Sequence, residues 1–268
     1  MEGSIIGNLK LVDSKIDFDP KGHDNYVYCD NTRGEVILEK TTITFKGSNS
    51  VIFLFGGSKK SYKFKAFLSS NTSIYIGLDA LFHKAGNIHL MAGEGKHLII
   101  GNESMVANDI WIRTGDAHPV YSTLTHQRIN NAQNVVIGDH VWLAQECMVF
   151  KGAIIGSGAI FGARSIVTGK TYFSNTSYVG APARMISEEG SVFFDKMESN
   201  FADAEKLEQY SVFESDKYIY RYDKRKYIVN KLLTDLENAQ TAKEKIEIYK
   251  NMSKDKNRFA IDSTADIL

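Results

Sequence analysis

From Ile137 to Ile186 the chain repeats itself every six residues, and no other feature restricts its fold as severely. Ile137, Leu143, Val149, Ile155, Phe161, Val167, Phe173 and Val179 each open a hexad, and Val141, Cys147, Ala153, Ala159, Ser165, Thr171, Ser177 and Ala183 stand four places after them. Six is not a multiple of the helical 3.6, and simple strand alternation would not place a small residue at one fixed phase. Short strands joined by tight corners satisfy the pattern, provided that the large and the small residue of each hexad face a narrow axis. Looser hexads at Ile100, Val106 and Ile112, with the pairs Ile76/Ala80 and Phe82/Gly86, carry the coil upstream. Residues 91–96 read as a corner excursion around Gly93 and Gly95. The β-like runs at 41–45, 51–55 and 62–67 read as irregular first coils and their cap.

After Ile186 the character changes. Ile228, Leu232, Leu236, Ala239, Ile246 and Tyr249 form one helical stripe. The expected organisation is a β coil over residues 1–189, with a loop at 118–136, followed by a helical extension over 190–268. Lys plus Arg balances Asp plus Glu at 32 each, so no bulk charge favours nucleic acid or an anionic membrane as partner. No apolar run is long enough for a membrane span, and a cytoplasmic location is expected. Two cysteines make no disulfide framework, and Cys147 falls in the small inward phase, where packing explains it.

Strict hexads stop at Ala117 and resume at Ile137. An excursion from a rigid scaffold is where functional side chains concentrate. His118 opens it, and Pro119 restricts His118 to an extended backbone. An imidazole with an ordinary pKa near ~6.5 is suited to take a proton from a hydroxyl at neutral pH. Asp116, two residues earlier, is a candidate to accept the far imidazole N–H. Arg128 is a candidate to meet a sugar carboxylate through paired hydrogen bonds, with Tyr121 and His126 as further loop candidates.

Three segments, GDAHPV (115–120), IGDHVW (137–142) and YVGAPARMI (178–186), together resemble the hexapeptide-repeat acyltransferases, in particular the galactoside, maltose and polysaccharide O-acetyltransferase branch. The likeness covers roughly residues 75–186 and is far more specific than hexads alone. It implies a mainly β fold, a left-handed parallel β-helix with three hexads per turn, and a homotrimer with active sites between subunits. It implies acetyl-CoA as donor and a saccharide as acceptor, such as a bacterial surface or capsular polysaccharide, with no metal. By the same resemblance His118 is the catalytic base and Trp142 lines the site. Ala144, Gln145, Ala163 and Thr168 then meet the pantetheine and adenine, while Lys170 and Arg184 meet the phosphates. The sequence departs from the family where Ala144 replaces a usual Gly, where Gly169 is an extra residue before Lys170, and where Ser187 replaces a basic residue.

Other readings remain open at this level. The same chemistry with an amine acceptor gives an N-acetyltransferase. A zinc site would need three converging ligands, for which His118, His126 and His140 are available. A catalytically silent trimeric scaffold is the last.

Overall fold

In the computed structural model, which describes residues 3–57, 61–84, 86–196 and 203–265, the hexads build a left-handed parallel β-helix. Each strand pairs with the strand three places later in the chain, so a turn of the coil has three faces. Eight strands stack on the first face, from Gly3–Ile6 through His97–Ile100 and Val135–Ile137 to Thr171–Tyr172. The second face carries Leu81–Phe82, Met105–Val106, Trp142–Leu143, Ile160–Phe161 and Ser177–Val179, preceded by a separate stretch of three strands. The third carries seven strands, among them Lys65–Leu68, Ile88–Ala92, Ile110–Arg113 and Met148–Val149. One strand breaks the parallel order: Arg184–Met185 turns back onto Ser177–Val179 as an antiparallel pair.

The hexad explains the corners. After each large apolar residue the chain turns, and the fourth position takes a left-handed backbone, as at Asp79, Glu103, His140, Glu146 and Arg164. Coils stack so closely there that a Cβ on Gly101 would lie 2.5 Å from the carbonyl carbon of Gly138. The large and small inward residues fill the axis as far as Val167, with Ile100, Ile137, Leu143, Cys147, Ala153 and Phe161 all fully buried. Beyond Val167 the coil is one residue shorter, so Tyr172 and Tyr178 take the inward places expected of Phe173 and Val179, and Val179 is exposed. Burial also pushes the Cys147 thiol pKa up, in keeping with a packing role.

The upstream coils are more regular than the sequence indicates. Parallel pairing is already in register from Gly3 opposite Asn25, so the segments before residue 75 are full coils. The run at 62–67 supplies two faces, Ser61–Tyr62 and Lys65–Leu68.

The helical stripe is divided. It forms two helices, Val229–Asn238 and Ala242–Lys250, separated at Ala239, where the backbone turns extended. Thr241 caps the second, its hydroxyl accepting from the Glu244 amide at 3.2 Å. Val229, Leu232, Leu236, Ile246 and Tyr249 pack on the outer side of the first face, against Tyr26, Val51, Phe53, Tyr75, Ile99 and Val136. That face is therefore buried on both sides, which is why its strands read as unbroken apolar runs. Among the described residues, no helix is long and apolar enough to cross a membrane.

Candidate active site

The long excursion, residues 114–134, leaves from the third face and returns to the first, so it stands on the corner between them. It is a narrow hairpin. The Ile129 amide donates to the Val120 carbonyl and the Ser122 amide to the Gln127 carbonyl, both at 2.9 Å, and Tyr121 bridges Arg128. Leu124 at the tip is 90% exposed, an unusual cost for a leucine in water.

His118 sits exposed at the base of this hairpin. The residue that fixes it is Asn130. Its Nδ2 donates to the His118 carbonyl at 2.9 Å and its Oδ1 accepts from the Val120 amide at 2.7 Å, so one side chain grips the backbone on both sides of His118–Pro119. Sequence reasoning passed over Asn130, because nothing local marks an asparagine that bonds twelve residues back.

Two expectations for this loop are corrected. Asp116 does not orient the imidazole: its Oδ2 accepts from Lys151 Nζ at 2.6 Å and from Asn130 Nδ2 at 2.8 Å. The Lys151 ammonium, then the Asn130 amide, hold its carboxyl below the usual range against the opposing effect of burial. Arg128 is not available to an anionic acceptor, since its two terminal nitrogens bond both oxygens of Glu94 at 2.7 and 2.8 Å. Glu94 belongs to the preceding coil, 34 residues away, where sequence spacing could not reveal it. Tyr121 is 58% exposed on the hairpin arm.

Trp142 lies elsewhere. It is on the second face, opposite the corner that carries His118, and it is 38% exposed, flanked in its column by Met105 and Ile160. One side of its ring meets Phe194 at 5.5 Å between centroids. Phe194 in turn stacks on His140 at 4.1 Å, and Tyr218 stacks on the imidazole at 3.7 Å. His140 is fully buried, its Nε2 within hydrogen-bond distance of the Phe194 carbonyl oxygen at 2.9 Å. Burial pushes its pKa down to about 4. A buried His140 at the corner between the first and second faces cannot converge with His118 and His126 on the far corner. That removes the three-histidine zinc reading.

One residue before His140, the carboxy-terminal segment also grips the corner that precedes Trp142. Arg258 bonds Asp139 through Nε at 2.9 Å and Nη2 at 2.8 Å, with both side chains buried.

The residues expected to meet the donor fall into two groups. Ala144, Gln145 and Ala163 lie on the corner between the second and third faces in successive coils, tied by the Arg164 amide donating to the Gln145 carbonyl at 2.8 Å. Gln145 and Ala163 are exposed there, so the backbone is open to a ligand. Arg164 and Glu146, not anticipated from sequence, form an ion pair at 2.8 Å beside them. Lys170 and Arg184 form the second group: burial, then the nearby Arg184 charge, lowers the Lys170 pKa. Two cations held near one another fit a polyphosphate. The Thr168 hydroxyl lies 3.5 Å from the Tyr172 hydroxyl, near the start of this group.

Known proteins resemble this chain in sequence and in fold. No family model matches the chain. A polysialic acid O-acetyltransferase from Neisseria meningitidis is 30% identical over 131 residues, which are 49% of this chain and 58% of that protein. The chain thus spans a little over half the length of this curated relative. Among solved structures, the polysialic-acid-specific acetyltransferase NeuO superposes with a TM-score of 0.61 at 22% identity, covering 78% of this chain and 97% of that one. The polysialic acid O-acetyltransferase OatWY gives 0.55 at 24%, covering 75% and 98%. At those identities the two structures speak for the fold. The resemblance to hexapeptide-repeat acyltransferases holds in both sequence and architecture.

Proposed function

We propose that this chain is an acetyl-CoA-dependent O-acetyltransferase that acylates a hydroxyl of a saccharide, such as a bacterial surface or capsular polysaccharide, with His118 as general base. The observation that carries the reading is the His118–Pro119 turn, braced on both sides by Asn130 at a corner of the coil. The similarity to a polysialic acid O-acetyltransferase supports the acceptor class.

An alcohol is a weak nucleophile at neutral pH, and a thioester is already activated, so the protein must supply a base and a fixed approach. The imidazole of His118 takes the hydroxyl proton as the oxygen attacks the thioester carbonyl. The C–S bond breaks, the proton passes to the leaving thiolate, and the products are an acetyl ester and free thiol. Asn130 supplies aim: fixing the peptides around His118 limits the directions the ring can take.

We propose further that the active unit is a homotrimer with sites between copies. His118 and Trp142 lie on opposite sides of one coil, so only a second copy can bring them together. The helices cover the first face, while the second and third leave Trp142, Trp111 and Met148 exposed for such contacts. In this arrangement Trp142, Ala144, Gln145, Ala163 and Thr168 would border the donor, and Lys170 and Arg184 its phosphates. The β-helix of residues 1–189 would be the catalytic domain and residues 190–268 a brace on its first face. As part of the same proposal, the reaction with its acetyl-CoA donor belongs in the cytoplasm.

The test is thiol release from acetyl-CoA with a panel of glycans, followed by product mapping. Alkali-labile esters support the reading. A stable amide would move the acceptor to nitrogen, and no acceptor-dependent release would remove acetyl transfer.

A further inference from the structure

Beside the His118 corner lies a cleft of about 290 Å³, lined by Phe67, Met91, Glu94, Arg113 and Asp116. Phe67, Met91 and Arg113 are cross-strand partners in three successive coils of the third face, and all three side chains are half-buried. Such a column places an aromatic and an apolar wall beneath a guanidinium, close to the residue read as the base. The cleft runs on to Ala117, the residue before His118.

The charges around this cleft do not cancel. Glu94 is matched by both terminal nitrogens of Arg128, and Asp116 by Lys151 at 2.6 Å. Each carboxylate at the rim therefore has its own hydrogen-bonded cation, and Arg113, whose charge also acts on Asp116, is bonded to neither. Its Nε donates to the Gly115 carbonyl at 2.6 Å, which fixes the plane of the guanidinium. Among the described residues, Nη1 and Nη2 have no hydrogen-bond partner and Arg113 makes no ion pair. An end-on pair of N–H donors held in one plane matches a carboxylate in two parallel hydrogen bonds.

Resting on the acetyl-transfer reading above, we infer that this cleft seats the acceptor and that Arg113 selects an acidic sugar by binding its carboxylate. Arg128, the loop arginine, serves instead to hold the hairpin to the preceding coil. Phe67 and Met91 supply the apolar surface on which a sugar ring lies, and the carboxylate on Arg113 sets which way the ring, and so its hydroxyls, face the His118 corner.

The experiment compares wild type, Arg113→Gln and Arg113→Lys, each saturated with CoA. Each is titrated with a sialic acid oligomer and with the same oligomer after its carboxylates are converted to carboxamides. Wild type should bind the acid form about 10- to 100-fold more tightly than the amide, the range of a charge-assisted paired contact. Arg113→Gln should bind the two forms alike, and Arg113→Lys, a cation without the fork, should fall between. Equal binding of both forms by wild type, or an undiminished acid preference in Arg113→Gln, would overturn the assignment. Thiol release by wild type, measured on the same oligomers and on a neutral glycan, separates the two levels. Release with no acid preference removes the role of Arg113 and leaves acetyl transfer standing. An Arg113-dependent acid preference without release from any glycan supports the anion site and removes acetyl transfer.

Discussion

Asn130 holds His118 by the backbone: its Nδ2 donates to the His118 carbonyl at 2.9 Å while its Oδ1 accepts from the Val120 amide at 2.7 Å. The same Nδ2 reaches Asp116 at 2.8 Å, so three points of the hairpin base hang on one amide.

Asn130→Ala should lower kcat for acetyl transfer about tenfold or more, because a small misplacement of the base costs rate steeply. The affinity for acetyl-CoA should stay at the wild-type value, since Asn130 commits its side chain to the loop backbone and to Asp116 rather than to the donor. Steady-state kinetics with isothermal titration checks this, and an unchanged kcat would make Asn130 a loop residue only.

The separation of His118 from Trp142 within one chain gives a complementation test. His118→Ala and Trp142→Ala variants, each poorly active alone, should regain about a quarter of wild-type activity when co-assembled at random, because some interfaces then hold both native residues. Activity that stays at the average of the two variants would place both residues in one copy.

The buried pair Arg258–Asp139 joins the carboxy-terminal segment to the corner before His140. Arg258→Met leaves a buried carboxylate unpaired and should cost about 3–5 kcal/mol in urea denaturation. Adding Asp139→Asn removes the unpaired charge and keeps an acceptor for the Asn102 amide, which Asp139 now binds at 2.6 Å, so the double variant should be the more stable of the two. Equal losses would mean that the charge is solvated.

Acid should destabilise the protein through buried histidine. Burial puts His140 at about 4 and His97 at about 3, below the ordinary value near 6.5. Both are neutral in the folded chain, so above pH ~6.5 they impose no penalty; as pH falls below it, the unfolded chain takes up protons that the folded chain does not. Stability is therefore lost between pH ~6.5 and ~4, by up to about 3 kcal/mol from His140 alone. His140→Asn, which tolerates the left-handed backbone at this corner, should flatten that limb without abolishing it, since His97 remains. Denaturant midpoints from pH 7.5 to 4.5 check the slope; identical pH profiles would show that His140 takes up its proton at the same pH in the folded and unfolded chains.

The parts of the fold that could be read from sequence are those where one hexad determines its own place. Ile137, Leu143 and Val149 each announce an inward position, and the coil follows from repeating them. The division of the helical stripe was legible in principle, because Thr241 and Glu244 stand at capping spacing beside Ala239, but the apolar phase alone conceals it. What covers the first face was not legible: the run at 51–55 signals burial on both sides without naming Tyr249 or Ile246 as its partners. Charge matching was hidden for the same reason. Arg128 looks like a free cation until the coil brings Glu94 beside it, and Arg113 looks like an ordinary strand residue until its neighbours are seen to be neutralised. His140 lies in the segment that carries the family resemblance, yet its ring partners Phe194 and Tyr218 come from a part of the chain with no repeat to place them.

The most direct measurement is acceptor-dependent thiol release from acetyl-CoA by wild type and by His118→Ala at saturating donor. Loss of one positioned base should lower the rate by about 10² to 10⁴ while acetyl-CoA still binds with unchanged affinity. A His118→Ala enzyme that releases thiol at the wild-type rate would contradict the account.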